Sequence, residues 1–207
     1  MARVRLHALA VLVATLLAAC KGAPVPNPLT GQSRYLCCNM FYEKPKITDV
    51  NYQRGTMIPF GTQVQILEVY RSAVKFQAQG HPPIELQLRY GKKELGMEQY
   101  LDRIFLAEDP HARLPKVPAA TTRSGKGKGH ASTATAKERE QVQQITEAIT
   151  QARVEAGMTR DEVLMAVGYP PANKTPSLDS PTWTYWANRW QTFIVRFDGD
   201  KVSSVTR

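Results

Sequence analysis

The chain has 207 residues, 43% of them apolar, and a formal net charge of +9 at pH 7. It is too apolar for a disordered chain and long enough for one or two hydrophobic cores. The excess charge suggests nucleic acid or an anionic surface, but six basic residues and no acid fall between His111 and Lys137. The basicity therefore belongs to a connecting segment, not to a folded face. Without interleaved aromatic residues that segment lacks the stacking platform of a nucleic-acid binder, so no nucleic-acid partner is expected.

In chain order, Arg3 and Arg5 precede an apolar run from Ala8 to Ala18, the pattern of a secretory signal and too short to span a bilayer. It ends in Leu17-Ala18-Ala19-Cys20, which resembles a bacterial lipobox. The resemblance implies cleavage after residue 19 and acylation of Cys20, with Lys21 favouring the outer membrane over the inner. Several acyl chains anchor a protein stably, at about 0.8 kcal/mol per buried CH₂. Residues 20–33, with Pro24, Pro26 and Pro28, read as a stiffened lipidated tether that leaves the folded parts in the periplasm.

Residues 34–110 read as a β-rich domain. Gln63 to Tyr70 is a strand whose mixed parity predicts a bulge or cover on both faces. Ala73 to Ala78 and Ile84 to Tyr90 are two further strands, with turns at Tyr70-Arg71-Ser72 and Gly80-His81-Pro82-Pro83. Met97, Tyr100, Leu101 and Ile104 recur at helical spacing. The rhythm suggests a small, SH3-like barrel or meander with one helix. Cys37 and Cys38 are neighbours, and with Cys20 acylated they leave three states open: buried free thiols, a vicinal disulfide, or bridges to another chain. Two cysteines with no nearby histidine do not make a zinc site.

Residues 111–136 read as a basic, disordered linker rich in Gly, Ser and Thr. Arg113, Lys116, Arg123, Lys126 and Lys128 are candidates for contact with anionic lipid or lipopolysaccharide phosphate, each worth up to about 1 kcal/mol near a charged surface. The competing reading is a soluble spacer.

Residues 137–207 read as a second domain. Val142, Ile145, Ile149, Ala152 and Ala156 form an apolar stripe, which predicts a helix from Lys137 to Ala156. Gly157 is placed to close it. Thr159 and Glu162 then form a capping box with Met158 and Val163 as a staple, and Gly168, Pro170 and Pro171 stop the second helix. Three strands follow, at Thr182 to Trp186, Trp190 to Phe197 and Val202 to Thr206, the last two joined by an Asp198-Gly199 turn. Trp183, Tyr185, Phe193, Val195 and Phe197 are the expected core. Trp186, Arg189, Trp190 and Arg196 are the candidates for an exposed partner-binding patch, because Trp and Arg dominate binding hot spots.

The Gly157-Met158-Thr159 opening, the short helix ending in Gly168-Tyr169-Pro170-Pro171, Trp183-Thr184-Tyr185-Trp186, and Phe193 through Val202 together resemble the SmpA/OmlA family, also called BamE-like. The resemblance covers about the last seventy residues. It implies a two-layer ααβββ fold and a role in assembly of outer-membrane β-barrel proteins or in envelope integrity, through contacts with other envelope proteins and anionic lipid.

Catalysis finds little support. None of the four histidines lies in residues 137–207, the Ser124 to Gly129 run lacks the strand and the Lys-Ser/Thr of a phosphate loop, and Asp198 and Asp200 are too few for calcium. The expected protein is α+β with two small domains, non-enzymatic and without cofactor or metal. It is expected to be a periplasm-facing, lipid-anchored outer-membrane lipoprotein that binds or scaffolds an envelope partner. The alternative is a periplasmic recognition module that binds cell wall or inhibits a periplasmic enzyme.

Overall fold

The computed structural model describes residues 22–117 and 136–207 and shows a mixed α+β protein. The signal, Cys20, and three of the linker candidates (Arg123, Lys126 and Lys128) lie outside the described residues.

The first module is built on a six-stranded sheet. Its strands are β1 (Ser33–Leu36), β3 (Lys46–Thr48), β5 (Gln63–Val69), β6 (Ala73–Ala78), β7 (Ile84–Gln87) and β8 (Phe105–Leu106), in the order β3-β7-β6-β5-β1-β8. A two-stranded ribbon, β2 (Met40–Tyr42) with β4 (Thr56–Ile58), lies apart from it. The register of β5 on β6 shifts between Ile66 and Glu68, which is the bulge the mixed parity foretold. Helix α1 (Met97–Ile104) buries Tyr100, Leu101 and Ile104 against a core that includes Leu36, Ile66, Phe76 and Leu86.

The strand expected to reach Tyr90 ends at Gln87. The reason is Asp49, whose carboxylate accepts the amides of Arg89, Tyr90 and Gly91 at 2.7 to 3.1 Å and draws the chain away from the sheet. The segment expected as a stiffened tether lies against the first module from Val25 to Gly31. Val25 donates to the Val69 carbonyl and Gly31 to that of Ile66, both at 2.8 Å, while Val25 and Leu29 pack against the first core. The prolines stiffen this segment, but its apolar side chains find a surface to cover.

In the second module, α2 (Ala136–Thr150) and α3 (Arg160–Val167) cover an antiparallel sheet of β9 (Thr182–Trp186), β10 (Thr192–Asp198) and β11 (Lys201–Thr206). All five expected core residues are buried. The capping box forms as read: Thr159 Oγ1 accepts the Glu162 amide at 3.3 Å, and Glu162 Oε2 accepts the Thr159 amide at 2.6 Å. Gly168 ends α3 with φ at 83°. A side chain there would be left-handed and would press on Asn51 Nδ2 and Cys38 Sγ, 3.2 and 3.3 Å from the Cβ position.

Helix α2 stops at Thr150, six residues short of the predicted Ala156. Arg153 donates back to Ala148 and Ala152 to Ile149, with Ala152 at φ 53°, a helix-ending turn of the Schellman kind carried by alanine where glycine is usual. Gly157 then serves the next turn, donating to the Val202 carbonyl at 2.8 Å.

The two modules do not hang apart on a linker. Phe60 of the first is part of the second core, together with Ile145, Ile149, Val163 and Trp183. Asn39, fully buried, donates Nδ2 to the carbonyls of Ile149 (2.6 Å) and Ala166 (2.9 Å), and its Oδ1 accepts the Phe60 amide. Asn51 Nδ2 reaches the Val167 carbonyl at 3.0 Å. The start of the expected linker is ordered as well. Pro110–Arg113 form a 3-10 turn, Leu114 packs against the second core, and the His111 ring lies against Phe60, tilted by 43° with centroids 4.6 Å apart.

Candidate functional site

The β9–β10 hairpin presents the most exposed large apolar side chain among the described residues, Trp190, 84% exposed. Its loop is fixed from within. Asn188 Oδ1 accepts the amides of Trp190 (2.9 Å) and Gln191 (3.0 Å), its Nδ2 donates to Gln191 Oε1, and Ala187 donates to the Gln191 carbonyl. Such an Asx-type turn settles the backbone polar groups locally and leaves the indole outside the core. Exposing an indole forgoes about 1.5–3 kcal/mol of burial energy.

The four predicted patch residues do not form one cluster. Arg189 and Trp190 sit together at the exposed hairpin tip. Trp186 is half-buried at the base of the hairpin, opposite Thr192, with Lys174 Nζ 5.2 Å from its ring centre. Arg196 is exposed but pairs in register with Thr182 and Ser204, four residues along β10 from Thr192, or about 14 Å at strand rise. The expected four-residue patch is therefore corrected to its tip: Arg189 and Trp190, with Trp186 behind them.

The structure supplies the remaining wall from the other module. A cleft of about 580 Å³ separates the hairpin tip from Glu43, which follows β2, and from Tyr52 and Arg54, which precede β4. Burial raises the pKa of the Tyr52 phenol above its ordinary value, and Tyr90 raises it further, while Arg189 and Arg89 act in the opposite direction. Tyr52 therefore sits in the field of both modules. Tyr90 is itself 41% exposed, with the Arg89 guanidinium 5.4 Å from its ring centre. The cleft itself is lined by Tyr52, Arg54, Arg189 and Trp190, the composition of a recognition surface. Local sequence reading had no means to find Tyr52 or Arg54, because they join Trp190 only through the docking of the two modules.

Cys37 and Cys38 form a vicinal disulfide, and both are buried. Of the three states open in the sequence, this one leaves neither Cys37 nor Cys38 as a thiol for another chain. The pair lies where β1 runs into Asn39, within the inter-module contact. Of the linker candidates among the described residues, Arg113 closes the 3-10 turn and Lys116 follows it, both exposed.

No family model, no curated protein and no solved structure matches the chain.

Proposed function

We propose that the chain is a non-enzymatic envelope lipoprotein, held through Cys20 on the periplasmic face of the outer membrane, that binds another envelope protein with its β9–β10 hairpin. The observation that carries this reading is the exposure of Trp190 on a loop whose conformation Asn188 fixes, beside Arg189 and the cleft to Tyr52. An exposed indole on a fixed loop, next to arginine, is the kind of anchor that dominates protein interfaces, and truncating a hot-spot anchor costs at least about 2 kcal/mol of binding. The lipobox-like Leu17 to Cys20 supports the address. The order α2-α3-β9-β10-β11, with its capping box and terminating glycine, supports kinship of the second module with BamE-like proteins, and hence a scaffold role in barrel assembly or envelope integrity. The short strands and single helix of the first module are read as SH3-like. Arg113 and Lys116, with Arg123, Lys126 and Lys128, are proposed to hold the chain against anionic lipid or lipopolysaccharide phosphate.

The test is co-purification from detergent-solubilised envelopes, parent against Trp190→Ala and Arg189→Glu, with Cys20→Ser as the control for anchoring. The proposal expects labelled palmitate on the parent but not on Cys20→Ser, and an envelope protein that the Trp190 variant loses. Partners retained in full by both hairpin variants would overturn it. Sedimentation with purified cell wall, unaffected by either variant, would favour the recognition-module alternative.

A further inference from the structure

The cleft beneath Trp190 does not end at Tyr52. A second cleft, of about 220 Å³, shares Glu43, Tyr52 and Arg54 with it and continues past Tyr42 and Lys44 to the outer side of β3. The two form one groove that runs from the hairpin tip of the second module to the sheet edge of the first.

Its chemistry narrows the occupant. Lys44, Lys46, Arg54 and Arg189 line it, against Glu43 as the acidic side chain. Arg54 is 3.6 Å from Glu43, and Lys46 is 3.2 Å from Glu85, whereas Lys44 and Arg189 are in no ion pair among the described residues. The groove is therefore net cationic and suited to an anionic guest.

The backbone narrows it further. Strand β3 is the outermost strand of its sheet and pairs, in parallel, with β7 alone. Glu85 donates to the Pro45 carbonyl and Asp49 to that of Gln87, so the odd-numbered residues of this segment address β7. In a parallel ladder alternate residues address opposite neighbours, which turns the amide and carbonyl of Lys46 and the amide of Thr48 toward the groove, while the Thr48 carbonyl accepts the Asn51 amide at 3.4 Å. These two edge amides and one carbonyl suit another peptide backbone; a lipid headgroup or a glycan has no matching ladder.

We infer that this groove takes an extended acidic segment of a protein partner, which adds as a strand beside β3, crosses Tyr52 and Arg54, and seats a side chain against Trp190. The inference rests on the reading of Trp190 as a partner contact and adds to it the partner's chemistry and binding mode.

The test uses the full mature chain in detergent, probed on a random decapeptide array and then by anisotropy with the strongest acidic decapeptides. Array signal should rise with Asp and Glu content. Replacing the acids by lysine, N-methylating alternate backbone positions, or introducing Lys44→Glu with Arg189→Glu should each weaken binding about tenfold or more, and Trp190→Ala should do the same. The variants lie at the surface, and thermal melts equal to the parent's establish that they fold. Binding indifferent to acidic content, or to N-methylation, overturns the inference. So does full competition by phosphatidylglycerol vesicles, which would make the groove a lipid site. A blank array, with cross-links from position 190 still capturing envelope proteins, overturns this inference alone. Unchanged binding to Trp190→Ala, with no capture from position 190, overturns the reading beneath it too.

Discussion

Asn39 donates its side-chain amide to the Ile149 carbonyl at 2.6 Å, across a sequence separation of 110 residues. The same side chain holds the Ala166 carbonyl and the Phe60 amide, so one fully buried amide, just before β2, ties the first module to the ends of α2 and α3. Each of those groups is costly to bury without a partner. Asn39→Ala should therefore destabilise the fold by about 2–4 kcal/mol in urea or guanidinium unfolding. Asn39→Asp should cost more, because it places a charge against two carbonyl oxygens. Phe60→Ala, which opens the second core from the first module, should cost about 3–5 kcal/mol. A parent that unfolds in two separate transitions, with neither variant affecting the second, would show that the modules are not coupled.

Gly61 lies directly under the His111 ring, with φ at 69°. Gly61→Ala should destabilise by about 1–3 kcal/mol, from left-handed strain and from displacement of the imidazole off Phe60. Adding His111→Ala should relieve the clash but not the strain. The double variant should thus be less unstable than the two single costs summed, and strict additivity would refute the contact.

The alkaline limb of stability should report Tyr185. Burial pushes its phenol well above the ordinary value, and its Oη donates to the Gly168 carbonyl at 3.0 Å. With the folded value raised, this contribution is fully present below the unfolded tyrosine value of about 10 and is lost as pH rises toward the folded one. Tyr100, raised likewise by burial and then by Asp49, adds to the same limb. Tyr185→Phe should lose about 1 kcal/mol near neutrality and show a shallower fall between about pH 9 and 11. An unchanged slope would mean that the phenol is not shielded.

The second module was largely legible in the sequence because its signals are local. Thr159 and Glu162 sit three apart, Gly168 precedes two prolines nearly at once, and strand alternation sorts Trp183 and Tyr185 from Thr184. The end of α2 was missed because Ala152 adopts a left-handed conformation that its side chain does not advertise. The docking of the modules was missed because Asn39 and Phe60 carry no periodic signal. A single polar residue after two cysteines carries no sign of the helix ends whose carbonyls it holds. The same docking explains the half-read site: Arg189 and Trp190 are marked by residue type, whereas Tyr52 and Arg54 gain their place only through tertiary contact.

The most direct measurement is photo-crosslinking in intact cells from a photo-reactive residue at position 190, with position 203 on exposed β11 as control and mass spectrometry of the captured species. Capture of a defined envelope protein from position 190, abolished by Arg189→Glu and absent from position 203, is the predicted result. Equal capture from both positions, or none from 190 while 203 yields a specific partner, would contradict the assignment of the hairpin as the binding surface.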